Sequence, residues 1–197
     1  MIKLRTNPRF AELRALLASK PELLQPWSGT LFRFQTVEFP KPEDVLSGAG
    51  AKQRGGRWNP RGVAALYGST TDATALEESK ANDQYAGIVN RSPRLVVAVE
   101  ARLARVLDFT SASVRRQLGV TLTELRAEDW RKLLESGRES FTQALGRAAF
   151  QTGASGILAR SAAAAGVNAV VFPGNLGLGE GLAVVEEEKL RQLAPTD

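Results

Sequence analysis

The 197-residue chain contains no cysteine and no histidine. The first absence excludes a disulfide framework, a zinc–thiolate site and a cysteine nucleophile. The second excludes a Ser-His-Asp triad, a histidine general base and a histidine metal ligand. Any chemistry must come from carboxylates, tyrosine, lysine and hydroxyls held in position, and no metal is expected. No apolar run approaches the ~18 residues that cross a bilayer. The opening MIKLRTNPRFAELRALLASK has its apolar residues interrupted by charge and proline, with no signal core. These features lead us to expect a cytoplasmic protein without a membrane partner. Two nucleotide cradles are also missing. Gly177-Leu-Gly179-Glu-Gly181 is glycine-rich, but no helix follows at dinucleotide-fingerprint spacing, and there is no Walker A sequence.

What is present is ordinary for a globular domain: 43% apolar and 24% charged residues. Lysine and arginine together number 26 against 21 acidic residues, a net charge of +5. Arginine dominates the cations, and its planar fork suits phosphate better than an ammonium does. The cations are spread along the chain, and no helix-turn-helix accompanies them, so direct nucleic-acid binding is not expected.

Periodicity predicts a first helix after Asn7-Pro8, with Phe10, Leu13, Leu16 and Leu17 on one face, ending near Lys20-Pro21. Residues 1–28 read as an N-terminal helical extension and 29–197 as one compact domain. A strand is expected over Thr30 to Gln35, then a loop from Phe39 to Gly56, then a strand over Val63 to Tyr67. Thr71 or Asp72 can cap a helix to about Gln84. Arg94 to Ala101 and Arg105 to Phe109 read as two strands. Helical patterns follow over Ser111 to Leu118, Thr123 to Leu134 and Arg138 to Gln151, with a capping box at Thr121 and Glu124. Gly156 to Ala159, Asn168 to Phe172 and Leu182 to Val185 read as late strands, and Glu186 to Leu193 as a closing helix. This irregular alternation, with a helical block in the middle, predicts an α+β domain instead of a doubly wound sheet.

The densest chemistry lies between Gly55 and Glu78, GGRWNPRGVAALYGSTTDATALEE. Two glycines before Arg57 let backbone and guanidinium come close to a ligand. Arg57 then faces an anion such as a pyrophosphate. Trp58 and Asn59 read as structural, the first packing and the second making the Asn-Pro turn. Tyr67 can stack on a ring or hydrogen-bond a ribose, and Glu77 and Glu78 sit on the following helix.

This stretch resembles the signature of the RES family, named for its Arg, Glu and Ser residues. Phe32-Arg33-Phe34 upstream and GASGILARSAAAAGVNAVVFP (Gly153 to Pro173) downstream extend the likeness to roughly Leu31 to Pro173. The resemblance implies an ADP-ribosyltransferase-like mixed β core with flanking helices. It also implies NAD as the substrate, and the toxin half of a toxin–antitoxin pair whose Xre-like helix-turn-helix antitoxin covers the active site. Glu78, eleven positions after Tyr67, matches the family's carboxylate, with Glu77 turned elsewhere on the helix. Its role would be to stabilise the oxocarbenium-like state formed as the nicotinamide–ribose bond breaks. Arg33 and Arg57 would bind the diphosphate or the nicotinamide side, and Tyr67 would contact nicotinamide or ribose. Ser161 matches the family's serine and would bind the substrate, although Arg160-Ser161-Ala162-Ala163 stands where Pro-Ser-Ala-Arg is usual; Ser155 is a second serine to weigh. Phe34 stands where some relatives carry tyrosine, so no hydroxyl acts there. The expected function is therefore NAD cleavage by hydrolysis or phosphorolysis. Transfer of ADP-ribose to a protein acceptor, and a non-enzymatic partner-binding module on the same fold, are the alternatives.

Overall fold

A computed structural model describes residues 4–38, 41–89 and 93–192. Its frame is set by two long strands, β1 (Leu24–Thr36) and β3 (Arg94–Asp108), paired antiparallel from Leu24↔Leu107 to Thr36↔Arg94. The shorter strands are β2 (Leu66–Ser69), β4 (Gly156–Arg160), β5 (Val167–Val171) and β6 (Gly181–Val184). Hydrogen bonding runs β1-β2-β5-β4-β3, and the β1–β3 pairing closes that series into a barrel, with β6 on the free edge of β3. β4 runs parallel to β3, whereas the β2–β5 and β4–β5 pairs are antiparallel. The result is a mixed α+β architecture with a barrel core and flanking helices.

Two buried clusters follow from the alternation of side chains along these strands. Leu31, Leu66, Val97, Val99, Leu158, Ala169 and Val171 form one, with Val45 and Leu190 packed onto it. Trp58, Leu107, Ile157, Ala159, Val170 and Phe172 form the other, covered by α1 (Phe10–Ala18) through Leu13 and Leu17 and by α8 (Phe141–Gln151) through Ala144, Leu145 and Ala148. The remaining helices are α2 (Pro42–Leu46), α3 (Ala49–Arg54), α4 (Asp72–Tyr85), α5 (Ala112–Gln117), α6 (Glu124–Ala127), α7 (Trp130–Glu135) and α9 (Glu187–Arg191).

Several elements differ from the periodicity reading, each for a visible reason. Strand β1 begins at Leu24, six residues before the expected start, because β3 supplies backbone partners that far. The two strands expected between Arg94 and Phe109 are one, since Arg102 and Ala104 continue the exposed face while Ala101 and Leu103 stay buried. The expected loop from Phe39 contains α2, started by Pro42 in the first turn, and α3, separated from it by Gly48 in the left-handed conformation (φ 65°); Phe39 itself lies outside the described residues. β2 begins at Leu66, so Tyr67 sits inside the strand.

The expected helix over Thr123 to Leu134 is broken at Glu128, which is extended. There two carboxylates take backbone amides instead: Asp129 accepts from Arg131 and Lys132 and caps α7, and Glu128 accepts from the amide of Phe141 at the start of α8. The reciprocal Thr121–Glu124 bonds do form just ahead of α6. α8 starts at Phe141, later than the expected Arg138, behind a capping box made by Ser140 and Gln143. The expected end of the last helix at Leu193 lies outside the described residues. α1 is tied to α8 by Glu139, which accepts two bonds of 2.7 Å from Arg147 and one of 3.0 Å from the amide of Asn7.

Candidate active site

The turn from Gly55 to Asn59 is fixed from every side except that of Arg57. Gly55 adopts φ 78°, which favours glycine. A Cβ on Gly56 would stand 2.5 Å from the Tyr67 hydroxyl oxygen and 2.7 Å from Asn59 Oδ1, so no larger residue fits. Asn59 is fully buried, and its Nδ2 donates to the carbonyls of Ala51, Pro60 and Val63. The Tyr67 hydroxyl donates to Asn59 Oδ1 at 2.7 Å and accepts from the Trp58 amide at 2.9 Å. The Trp58 ring stacks on Phe109 with centroids 5.2 Å apart. From α8, Gln143 Nε2 donates to the Gly56 carbonyl at 2.9 Å. Gly146 leaves the space that the Trp58 carbonyl oxygen occupies, 1.8 Å from where a Cβ would lie.

Arg57 alone in this turn has a lightly committed side chain: its one hydrogen bond among the described residues is a long one, 3.4 Å, from Nη1 to the Leu125 carbonyl. Burial lowers its pKa, the nearby Arg131 adds to that, and the charges of Glu78, Tyr67 and Asp129 partly oppose it. The Tyr67 hydroxyl is pushed well above the ordinary phenol value, first by burial, against the amide bond from Trp58 and the charge of Arg57. Both hydrogen bonds of the Tyr67 hydroxyl are thus spent on the turn that carries Arg57.

Glu78 sits in the middle of α4, whose first turn is capped by Thr71 accepting from the amide of Thr74. Its Oε1 accepts two short bonds, from Ser161 Oγ and from Asn168 Nδ2, each 2.6 Å. Each donor is itself held. Ser161 Oγ accepts from the amides of Ala163 and Ala164, both at 3.0 Å, which fixes its lone pairs and aims its proton at the carboxylate. Asn168 Oδ1 accepts from Ser69 Oγ at 2.7 Å, across the β2–β5 pair in which Ser69 and Asn168 are direct partners. This fixes the amide orientation, with its nitrogen toward Glu78. The Ser161–Gly166 turn approaches α4 so closely that a Cβ on Gly166 would lie 2.0 Å from Thr74 Oγ1. The second oxygen of Glu78, Oε2, has no protein partner among the described residues, and the residue is half-buried. A carboxylate clamped by one oxygen and free at the other can present a fixed negative charge and an open acceptor to a ligand.

Glu77 faces away and pairs with Lys80 one turn on, with nearly half of its side chain exposed. Ser155 is fully buried elsewhere, bonded to the backbone of Arg105. No hydrogen bond joins Arg33 to Glu78 among the described residues. Arg33 shares a face of β1 with Leu31, opposite Val97, and its Nη1 donates to the Val45 carbonyl of α2 at 2.7 Å. Its Nε is buried with no hydrogen-bond partner among the described residues, and burial lowers its pKa to about 10. The structure therefore gathers Arg57, Tyr67, Glu78 and Ser161, with no direct bond from Arg33 to that group.

Sequence reasoning missed Asn168 and Ser69. Their only signal is a polar residue at the start of an otherwise apolar strand, Val167–Val171, and a small hydroxyl at the end of Leu66–Ser69. Neither can be linked to Glu78 until the register of β2 against β5 is known. Ser161 is tied to the carboxylate itself.

Residues 30–190 match the sequence model of the RES domain family. Among curated proteins, "NAD(+) phosphorylase MbcT" of Mycobacterium tuberculosis is 29% identical over 163 residues, covering 77% of this chain and 80% of that protein. The protein of the same name from Mycobacterium bovis matches equally. Among solved structures, a chain of the M. tuberculosis MbcT–MbcA toxin–antitoxin complex superposes with a TM-score of 0.66 at 25% identity, covering 92% of this chain and 98% of that one. With most of its length under the family's sequence model, and with the clamped carboxylate, the arginine turn and the serine in one place, the chain belongs to the RES domain family.

Proposed function

We propose that this protein cleaves the nicotinamide–ribose bond of NAD, with inorganic phosphate as the preferred acceptor and water as the slower one, and that it acts as the toxin of a toxin–antitoxin pair. The observation that carries this reading is the state of Glu78: one oxygen pinned by two donors, the other open. As the glycosidic bond breaks, its electron pair leaves with the nicotinamide nitrogen and positive charge grows at the ribose anomeric carbon. Glu78 Oε2, accepting a hydrogen bond from the neighbouring ribose 2-hydroxyl, places fixed negative charge beside that centre. Donors that do not have to reorganise make such an interaction worth on the order of 3 kcal/mol, or ~100-fold in rate. A phosphate oxygen then forms the new bond to the anomeric carbon and yields ADP-ribose phosphate. With water as acceptor the product is ADP-ribose and a proton is released.

Arg57 serves the anionic part of the substrate, and Tyr67 and Asn59 hold it there. The orphaned Nε of Arg33 is a buried donor that costs free energy until an acceptor reaches it, so a substrate phosphate or the nicotinamide amide is the natural partner. The arrangement suits an ADP-ribosyltransferase-like NAD site carried by one compact domain, in which β1 joins the barrel from Leu24 and only the segment before it is an extension. An Xre-like antitoxin covering this face would block NAD entry. The chain acts in the cytoplasm under this reading, and no helix among the described residues is long and apolar enough to cross a membrane.

The test is incubation of purified protein with NAD, following nicotinamide release and the phosphorus spectrum of the products with and without phosphate. Glu78→Gln keeps an oxygen for Ser161 and Asn168 and removes the charge, so about a 100-fold loss of turnover is expected with the fold retained. Full turnover in a folded Glu78→Gln protein would refute the role of that residue. Absence of nicotinamide release by the unaltered protein would refute the reaction.

A further inference from the structure

A small cleft open to solvent is walled by Arg57, by Arg126 of α6 and by Arg160 at the end of β4. Its floor is apolar, formed by Trp58, Leu125 and Ala159, all buried. Arg160 immediately precedes Ser161, the serine bonded to Glu78, and Arg57 lies close enough to Glu78 to feel its charge. None of the three guanidiniums makes an ion pair among the described residues, and only Arg57 has a hydrogen bond, the long one to Leu125.

In this the three differ from five other arginines. Arg9, Arg94, Arg105, Arg147 and Arg191 each pair with a carboxylate. Of the acids near the cleft, Glu128 is bonded to the Phe141 amide, and Asp129 caps α7 and pairs with Lys132 at 3.6 Å. A fourth cation, Arg131, lies close enough to Arg57 to depress its pKa further. Like charges brought together repel one another, although solvent screens the exposed ones, and an anion between them relieves that repulsion. The forked donors of arginine match the oxygens of a tetrahedral oxyanion.

We propose that this cleft seats the inorganic phosphate that accepts the ribosyl group, with Arg126 and Arg160 as its specificity-determining contacts and Arg57 shared with the dinucleotide. The proposal rests on the reading of the chain as an NAD-cleaving enzyme. A divalent phosphate near Glu78 would be repelled by that carboxylate; the three guanidiniums offset the repulsion and hold an oxygen in line with the anomeric carbon. The carbon–oxygen bond forms as the carbon–nitrogen bond breaks, and the electron pair departs on nicotinamide, so no further reactant is required.

Arg126 and Arg160 are both exposed, so Arg126→Gln and Arg160→Gln leave the packing intact. Nicotinamide release is measured against phosphate concentration at saturating NAD, and against NAD concentration without phosphate. Each single change is expected to raise the KM for phosphate about ten- to hundredfold, the worth of one charge-assisted contact. The KM for NAD and the phosphate-independent hydrolysis rate should stay within about twofold, and Arg→Lys at either position should recover part of the loss. An unchanged KM for phosphate, or an equal rise in the KM for NAD, would overturn the assignment. NAD cleavage that proceeds without any phosphate dependence would overturn the seat while leaving the cleavage intact. Absence of cleavage in the unaltered protein would overturn both.

Discussion

Because Ser161 and Asn168 bond the same oxygen of Glu78, their removal should be cooperative. In Asn168→Ala the carboxylate keeps the Ser161 bond, and that bond keeps its rotamer. The same holds in Ser161→Ala through Asn168. A single change should therefore cost about 1 kcal/mol of transition-state stabilisation, roughly fivefold in kcat, although a hydrogen bond to a charged group is worth about 1.5–3 kcal/mol in full. With both donors gone the glutamate regains rotamer freedom, worth on the order of 1.5–2 kcal/mol, and the open oxygen is no longer aimed. The double variant should approach the full contribution of Glu78, about 3 kcal/mol or ~100-fold in kcat, leaving a coupling energy of about 1 kcal/mol.

The assay is steady-state nicotinamide release by all four proteins of the cycle, with thermal unfolding as the control for folding. Ser69→Ala provides an internal check. It removes only the bond that orients Asn168, so its effect should be smaller than that of Asn168→Ala and absent when Asn168 is already alanine. Losses in the double variant that equal the sum of the singles would refute the shared-oxygen argument. So would an effect confined to the KM for NAD.

Two further outcomes follow from the packing around the site. Gly146→Ala would normally strengthen a helix, but here the new methyl meets the Trp58 carbonyl; overpacking should win by about 2–3 kcal/mol, and calorimetry should show a fall in Tm of several degrees with loss of NAD turnover. Glu180 is buried, which works against its charge, yet hydrogen bonds from Ser155, the amides of Ala104 and Gly177, and Arg105 hold its pKa at about 2 instead of 4.5. The stability this confers is complete above the ordinary carboxylate value and is lost as pH falls through about 2, so Glu180→Gln should cost about 2 kcal/mol at neutral pH and progressively less in denaturant titrations carried out between pH 4.5 and 2. A constant difference across that window would refute the account.

How far the sequence reached depends on the range of the interaction. Helix α4 was legible because its cap, its spacing and the turn before it are all local, and this placed Glu78 on a helix and Glu77 on the outward face. The break between α6 and α7 was not legible, because it depends on Glu128 reaching the amide of Phe141, thirteen residues on. Likewise the span from Arg94 to Asp108 became one strand only because β1 lies against nearly all of it.

The site divides in the same way. Gly55, Gly56, Arg57 and the Asn59-Pro60 turn declare themselves in consecutive residues, since backbone freedom and turn chemistry are properties of neighbours. The sequence by itself also determined what chemistry was excluded, for without cysteine or histidine only carboxylates, hydroxyls and cations remain. The tertiary structure alone decided that Asn168 and Ser161, ninety and eighty-three positions from Glu78, close on one of its oxygens, and that the Tyr67 hydroxyl turns to the Arg57 loop. Those contacts depend on the register of β2 against β5 and on the turn after β4 lying over α4. Strand pairing at long separation is set by the collective burial of both faces, which no local pattern encodes.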